Sequence, residues 1–282
     1  MSRLIVDQLH ATHGQRPVLR GISLSVEPGQ IAVIVGPNGC GKSTLLRSIA
    51  RLHAPNQGTV KVDGADIWQL RPRHVARRLA LLPQAPQAPE GMTVAALIRH
   101  GRHPYQSLFS QWSAADERAV TLAMEATGVA DLAQRRLDEL SGGQRQRCWL
   151  AMSLAQETPL LLLDEPTSAL DLGHQVEVLD QIRLLAASGR SVVMVLHDLA
   201  AAARYADVLI AMRDGHLLAA GAPRDIVTPA LVKRLYDIEA TVLKAPGDGA
   251  PVVVPLEGGQ LRPGAVLSQS LHVSSGNPNL YS

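Results

Sequence analysis

A glycine-rich stretch that ends in a lysine and two hydroxyl residues offers the clearest chemistry in the sequence. Residues 36–44 read Gly-Pro-Asn-Gly-Cys-Gly-Lys-Ser-Thr and fit the pattern G-x-x-x-x-G-K-[ST]. The glycines let backbone amides curl around an anion, and a helix N-terminus behind them adds a positive dipole end. Lys42 is placed to reach nucleotide phosphates, and the Ser43 hydroxyl to bind Mg²⁺. We predict nucleotide contacts along the whole loop: Gly36, Pro37, Asn38, Gly39, Cys40, Gly41, Lys42, Ser43 and Thr44.

Cys40 is the residue of this loop with reactive chemistry of its own. A helix N-terminus lowers the pKa of a thiol, which would make Cys40 sensitive to oxidation. The alternative is a small side chain at a tolerant loop position, and we favour this second interpretation.

Two carboxylates and a histidine follow apolar runs that have the character of buried strands. Asp164 and Glu165 come directly after the run Leu160–Leu163, and His197 follows Val192–Leu196. Ligands bind at the carboxyl ends of strands in open α/β sheets, so these side chains are expected beside the phosphate loop. We predict that Asp164 binds Mg²⁺, that Glu165 orients or deprotonates the attacking water, and that His197 contacts the γ-phosphate. Asp-Glu after a strand is by itself often a solvated turn, and the phosphate loop upstream favours the catalytic interpretation.

A second Ser- and Gly-rich turn lies 23 residues before the acidic pair. It reads Leu140-Ser141-Gly142-Gly143-Gln144 and opens a helical pattern over Arg145–Leu154. Such a helix N-terminus is another anion site. An enzyme with one phosphate loop needs only one, so the second indicates that two protomers share each nucleotide.

With these motifs in view, the chain resembles the ATP-binding subunits of ABC transporters over residues 3–238. The phosphate loop, the turn at 141–144 and the acidic pair match the family's Walker A, Leu-Ser-Gly-Gly-Gln and Walker B motifs in order and spacing. Shorter motifs also match: Gln84 (Q-loop), Ser168-Ala-Leu-Asp171 (D-loop) and His197 (H-loop). By itself Gln84, after Leu81-Leu-Pro83, reads only as a loop residue. The family usually stacks an aromatic residue, often Tyr, on adenine, and His13 stands at that position.

The resemblance implies an α/β fold with a RecA-like P-loop NTPase core, an N-terminal antiparallel β subdomain and a helical subdomain inserted at about residues 90–155. It implies ATP hydrolysis with Mg²⁺ in a head-to-tail dimer. Each ATP would lie between the Walker A motif of one subunit and the Ser- and Gly-rich turn at residues 141–144 of the other. The implied roles are as follows: catalysis by Glu165, His197 and Gln84; Mg²⁺ binding by Ser43, Gln84 and Asp164; nucleotide contacts from His13, Ser141, Gly142, Gly143, Gln144 and Asp171.

A narrower likeness indicates the cargo. The segments 101–106, 144–156 and 195–207 look like those of importers of iron(III)–siderophore complexes, a group that also includes haem and cobalamin importers. This implies transmembrane permease subunits, an indirectly associated substrate-binding protein, and a peripheral position at the cytoplasmic face of the inner membrane. Haem or cobalamin import stays open as an alternative, as does a soluble non-transport ABC ATPase of the cluster-assembly scaffold type.

The elements that must position these motifs can be read from the hydrophobic pattern. Strands are expected at Leu4–Leu9, Val18–Val26, Ile31–Val35, Gly58–Val62, Leu160–Leu163, Val192–Leu196 and Ala206–Met212, the last forming a hairpin through Asp214-Gly215. A helical region is expected from Thr93 to Leu154, with a capping box of Ser113 and Asp116 and a stop at Gly128. A crossover helix over 178–186 makes a β-α-β unit. Residues 239–282 form a Gly/Pro-rich tail, expected to be irregular or extended from Ala245.

Composition sets limits on the class of protein. The chain has 282 residues with 27 Lys and Arg against 25 Asp and Glu, and this near-balance argues against a nucleic-acid partner. Two cysteines cannot build a disulfide scaffold, which indicates a reducing compartment. No apolar run approaches the roughly 18 residues of a spanning helix, so we expect a soluble chain whose membrane role comes through partners.

Two surface features complete the sequence-based expectations. The basic cluster Arg71, Arg73, His74, Arg77 and Arg78 reads as a solvated helix face rather than a lipid or permease contact. The aromatic residues Tyr105, Phe109 and Trp112 are hypothesised to help form a docking cleft for the permease, because aromatic residues are enriched at interfaces.

Overall fold

The protein folds around two main β-sheets and a separate group of helices. The computed structural model describes residues 2–106, 112–168 and 170–256. The strands are β1 (Leu4–His13), β2 (Arg16–Val26), β3 (Ile31–Val35), β4 (Gln57–Val62), β5 (Ala65–Asp66), β6 (Leu79–Leu82), β7 (Leu160–Asp164), β8 (Ser191–Val195), β9 (Val208–Arg213), β10 (His216–Gly221), β11 (Ala240–Lys244) and β12 (Pro251–Pro255). The helices are α1 (Lys42–Ile49), α2 (Pro72–Val75), α3 (Val94–His100), α4 (Ala114–Ala126), α5 (Gly142–Ala155), α6 (Leu172–Ala187), α7 (Leu199–Tyr205), α8 (Pro223–Ile226) and α9 (Pro229–Tyr236).

The larger sheet has the order β10-β9-β3-β8-β7-β6 and is parallel except for the pair β9–β10. Every residue of β3, β7 and β8 is buried, because core side chains cover both faces of the sheet. This explains why these strands read as unbroken apolar runs rather than as alternating ones. The carboxyl ends of β3, β6, β7 and β8 therefore meet at one edge of the sheet, where the predicted site residues follow them.

The smaller sheet is antiparallel, with the order β2-β1-β4-β5. Its inner face alternates with solvent-facing positions, and Leu4 pairs with both Val26 and Val62. Helix α1 lies between the two sheets, where Leu45, Leu46 and Ile49 are fully buried in one apolar cluster with residues of both. The helix that follows the phosphate loop is thus fixed by packing on two sides.

The helical region begins and ends close to where the sequence predicts. Thr93 caps α3, and the capping box of Ser113 and Asp116 at the start of α4 is confirmed. Gly128, at φ +61°, follows the end of α4 as expected of a C-terminal stop. Helices α3, α4 and α5 pack on one another and fall within the stretch 90–155.

A buried charge network ties α4 and the end of α5 to the turn at residues 101–106. The Arg102 guanidinium, 4% exposed, donates to Asp116 Oδ1 at 2.8 Å, to Glu157 Oε2 at 2.7 Å and to the Ala155 carbonyl at 2.7 Å. It also lies over the Tyr105 ring, 4.1 Å from the centroid. Burial alone would raise the pKa of Asp116, but hydrogen bonds from Ser113 and Arg102 prevail and hold it below its usual range.

Of the two alternatives expected from Ala245 onward, irregular or extended chain, Pro251–Pro255 takes the extended one: it forms β12 and pairs with β11, a pairing that the sequence did not predict. The run Val252–Val254 has strong strand propensity, and the density of Gly and Pro around it hides this signal. Val242 and Val253 pack on the main core, and Arg204 of α7 binds Asp248 in the turn at 2.8 Å. Residues 257–282 lie outside the described part of the chain.

Arg73 and Arg77 are exposed, as expected of a solvated face, and their guanidinium groups also bind backbone carbonyls of a neighbouring turn. Arg73 donates to the carbonyls of Pro104 and Gln106, and Arg77 to that of Pro104 at 3.0 Å. These side chains join α2 and the residues just after it to the turn that follows α3. Phe109 of the proposed docking cleft lies outside the described residues, so that hypothesis stays a prediction.

Candidate nucleotide-binding site

A cleft of about 650 Å³ opens where the edge of the large sheet meets the turn between β1 and β2. Its lining joins the phosphate loop, residues from both sheets and the predicted catalytic groups: His13, Arg16, Pro17, Val18, Arg20, Asn38, Gly39, Gly41, Lys42, Ser43, Thr44, Gln84, Glu165, His197, Asp214 and Gly215. Most residues predicted from separate motifs along the chain are thus brought together in one place.

The phosphate loop needs glycine at particular positions. Gly36 leaves β3 at φ +150°, and a Cβ atom there would lie 2.0 Å from the carbonyl oxygen of Met212. Gly41, at φ +106°, enters α1 where a Cβ would lie 3.0 Å from Val18 and Leu19 atoms. The loop therefore fits the space only without these side chains, and its backbone can approach an anion closely.

Lys42 and Ser43, the first residues of α1, place a cation and a hydroxyl at the floor of the cleft. The Lys42 ammonium donates to the carbonyls of Gly36 at 2.8 Å and Pro37 at 2.9 Å. The Ser43 hydroxyl donates to Asp164 Oδ1 at 3.2 Å. Burial, reinforced by the neighbouring Glu165 carboxylate, raises the pKa of Asp164 even though the hydrogen bond from Ser43 lowers it. A hydroxyl beside a buried carboxylate is a hard-oxygen donor set that fits Mg²⁺.

Glu165 is held between two partners from different strand ends. Its Oε2 accepts from Gln84 Nε2 at 2.7 Å, and its Oε1 lies 2.5 Å from His197 Nε2. The residue is 7% exposed and adopts the left-handed conformation at φ +55°. A non-glycine residue at positive φ is strained, and such strain persists where the surroundings over-determine it. The carboxylate is consequently fixed at the cleft wall.

The cleft is also lined by His13 and by residues that the motifs did not indicate. His13 Nε2 lies 3.4 Å from Thr44 Oγ1, and its ring stands at 54° to that of His53, with centroids 4.8 Å apart. Arg16, Arg20 and Asp214 belong to the lining as well. Their participation depends on the β9–β10 turn, whose Gly215 accepts from Arg20 N at 2.9 Å and donates to Cys40 O at 3.0 Å. The Asp214-Gly215 turn was visible in the sequence only as a hairpin signal.

Gly36, Pro37 and Cys40 belong to the loop without lining the cleft. Cys40 is buried, and burial raises the pKa of its thiol above the ordinary value, although nearby Lys42 lowers it. A raised pKa disfavours the reactive thiolate. The structure thus agrees with a small packing residue at this position.

The second turn and Asp171 do not line this cleft. Ser141 caps α5 in a capping box with Gln144, accepting from Gln144 N at 3.2 Å, and Ser141 and Gly142 are exposed. Asp171 caps α6, accepting from His174 N at 2.9 Å and lying 2.8 Å from His174 Nδ1. These hydrogen bonds lower the pKa of Asp171. Within one chain, then, the described structure contains two separate groups of predicted nucleotide contacts.

Comparison with known proteins identifies the family. The profile of the family described as ABC transporter matches residues 19–168. The chain is 46% identical to the ferric enterobactin transport ATP-binding protein FepC of Escherichia coli (strain K12), covering 91% of this chain and 95% of that protein. It is 45% identical to the petrobactin import ATP-binding protein FpuD of Bacillus anthracis, over 88% of this chain and 91% of that protein.

A solved structure of an ABC transporter, described as of metal-chelate type and in an inward-facing conformation, has the same fold. It superposes with a TM-score of 0.79 at 27% identity, covering 91% of this chain and 98% of the other. In the described part of the chain, no helix is both long and apolar enough to cross a membrane. The joint match of family profile, full-length relatives and fold shows that the chain belongs to the ATP-binding proteins of the ABC transporter family.

Proposed function

We propose that this chain is the ATP-hydrolysing subunit of an importer for iron(III)–siderophore complexes. The observation that carries the hydrolytic part is the Glu165 carboxylate, fixed between Gln84 and His197 at the mouth of the phosphate loop. The cargo is supported by the relatives, whose names specify ferric enterobactin and petrobactin.

The residues of the cleft divide the work of hydrolysis among them. Backbone amides of the loop and the Lys42 ammonium bind the phosphates and offset their charge. Ser43 and Asp164 would hold Mg²⁺, which when bound neutralises charge that develops on the phosphates. Glu165 accepts the proton of the attacking water, and Gln84 and His197 hold its two oxygens toward the cleft. His13, which also lines the cleft, packs beside the adenine base of the nucleotide.

The second group of contacts supports a dimer. Ser141, Gly142, Gly143, Gln144 and Asp171 lie at exposed or half-exposed helix starts away from the cleft. A second copy of the chain, placed head to tail, would bring them to the nucleotide in its partner's cleft. The Ser141 turn then supplies backbone N–H groups to the γ-phosphate from the far side.

The transport role requires further partners. We infer that the dimer docks on membrane permease subunits near Gln84, and that a substrate-binding protein delivers the cargo to them. The place of work is then the cytoplasmic face of the inner membrane, where ATP is available and the chain is bound peripherally. Closing of the dimer on ATP and opening after hydrolysis would move the permease helices.

The test is uptake of radiolabelled iron, supplied as a ferric siderophore, in cells with the gene intact, deleted, or carrying Glu165→Gln. Among these three, we expect uptake only with the intact gene. The control variant Glu125→Gln changes an exposed residue of α4 and should keep normal uptake. Parallel arms offer haem and cobalamin as cargo. Loss confined to one of these arms would replace the siderophore assignment, and no loss in any arm would favour a non-transport ATPase.

A further inference from the structure

The short segment after Glu165 is held by side-chain amides from two different helices. Gln146 of α5 donates through Nε2 to the carbonyl of Pro166 at 3.2 Å. Gln175 of α6 donates through Nε2 to the carbonyls of Leu170 at 3.0 Å and Thr167 at 3.3 Å. None of the residues in these bonds lines the cleft.

Glu165 needs such support because of its backbone conformation. At φ +55° a residue with a Cβ is strained relative to the right-handed region. Relaxation of the 165–166 peptide would turn the carboxylate away from Gln84 and His197, its partners at 2.7 and 2.5 Å. The Pro166 carbonyl belongs to the next peptide, 166–167. Because the proline ring fixes φ of Pro166, a bond that holds this carbonyl in place also opposes rotation of the 165–166 peptide.

The burial of Gln146 and its place in α5 suit it to this contact. It is 8% exposed, so its amide is shielded from water and a lost bond would not be replaced by solvent. It lies in α5, the helix that Ser141 caps. The same rigid helix thus carries the Ser141 turn at its start and the Gln146 amide on Pro166 just over one turn further on.

We propose that Gln146 is a positioning residue, whose amide fixes the Pro166 carbonyl and through it the orientation of the Glu165 carboxylate. This inference rests on the proposed role of Glu165 as the group that activates water. It adds a connection within one chain: the turn that would contact the partner's nucleotide is linked through Gln146 to the glutamate that serves the chain's own nucleotide. A displacement of α5 would therefore reach both sites.

The experiment compares variants of the full-length chain in steady-state ATP hydrolysis and equilibrium ATP binding. Gln146→Met keeps the length of the side chain and removes the donor. Ser153→Ala is the matched control, because it removes a buried hydrogen bond, to Trp149 O at 3.1 Å, further along the same helix. We expect Gln146→Met to lower kcat about ten- to a hundredfold with KM and ATP affinity within about twofold, since the bond orients a reacting group without touching the nucleotide. Both variants should melt at similar temperatures, and Ser153→Ala should keep its kcat.

A second comparison tests whether Gln146 acts through Glu165. Adding Gln146→Met to Glu165→Gln should not reduce the residual turnover further, because the group that it orients is already gone. Unchanged kcat in Gln146→Met, or an equal loss in the Glu165→Gln background, overturns the inference. If Glu165→Gln alone keeps near-normal turnover, the role of Glu165 itself is wrong, and this result is distinct from a failure of Gln146 alone.

Discussion

Asp164 is the residue at which function and stability oppose each other most directly. Its carboxyl is buried beside Glu165 and Lys42, and burial raises its pKa. The native state therefore holds this proton more tightly than the unfolded chain does, whose carboxyl titrates at about pH 3.9. As the pH rises from the unfolded value through the folded one, ionisation of Asp164 progressively destabilises the native state. Ionisation of the Asp164 carboxyl is therefore obtained at the expense of native-state stability.

We therefore expect Asp164→Asn to raise the melting temperature near pH 7.5 by about 2–4 °C for each kcal/mol of desolvation that is relieved. The gain in melting temperature should shrink as the pH is lowered toward 4. The substitution itself should abolish ATP hydrolysis. Thermal unfolding across this pH range is the measurement, with Asp131→Asn, an exposed residue, as the control. A lower melting temperature for Asp164→Asn at neutral pH would show that burial of the ionised carboxyl does not destabilise the native state.

Among the elements, the helical region depends on one buried cation. Arg102 reaches from the 101–106 turn to Asp116 of α4 and to the end of α5, and both ionic groups of the Arg102–Asp116 pair are buried. Removing one partner leaves the other charge buried without compensation, which costs about 3–5 kcal/mol. The network thus couples the packing of α4 to that of α5.

We expect Arg102→Met to lower the free energy of unfolding by about 3–5 kcal/mol in urea denaturation followed by circular dichroism. The double variant Arg102→Met, Asp116→Asn should recover a substantial part of this loss, because no buried charge then remains unpaired. The exposed pair Arg99–Glu117 on the neighbouring surface provides the control, since Arg99→Met should cost no more than about 1 kcal/mol. Equal destabilisation of the single and double variants would show that the cost is one of packing alone.

The elements differ in how far the sequence predicts them, for a physical reason. Runs such as Ile31–Val35 are buried on both faces of the sheet, so all their residues are apolar. Such a run can be recognised as a strand without knowing which strands lie beside it. Strand β12 is partly exposed and bounded by prolines, so composition outweighs its short valine run. Arg73 and Arg77 are surface residues, as the sequence predicts, but their hydrogen bonds were not predictable. The acceptors, the carbonyls of Pro104 and Gln106, lie about thirty residues away and carry no side-chain signal.

The candidate site was predictable where it is built from motifs and unpredictable where it is built from contacts. The sequence places Glu165, Gln84 and His197 each at the end of an apolar run, yet their mutual hydrogen bonds join positions up to 81 residues apart. Arg16 and Asp214 line the cleft only because the two sheets meet there. The sequence predicts that a helix begins at the Ser141 turn. That this turn does not line the cleft of its own chain can be seen only in the folded structure.

For the whole molecule, the position of the Ser141 turn outside the cleft of its own chain predicts that two copies share each nucleotide. We expect a Glu165→Gln chain to elute as a dimer on size exclusion with ATP, because bound nucleotide is not consumed. Adding Ser141→Arg should raise the apparent dissociation constant of that dimer more than about tenfold, since a bulky side chain blocks the turn. ATP binding to the monomer should persist, because Ser141 does not line its own cleft.

The matched control is Ser188→Arg, an exposed serine at the end of α6. It should dimerise as the parent does. If Ser141→Arg dimerises equally well with ATP, the head-to-tail arrangement is wrong.

The ribbon of β11 and β12 bears on where this polypeptide could be shortened. The inherited likeness to the family profile spans residues 19–168, and the motif-based boundary falls at residue 238. The physically closed body extends to at least residue 256, because Val242 and Val253 cover the core beside α7 and Arg204 grips Asp248. Proteolysis or truncation after residue 238 would strip an apolar flank from the helix that follows His197, and solubility would decline with it. The stretch that the family profile matches is thus smaller than the stretch whose side chains shield the core from water.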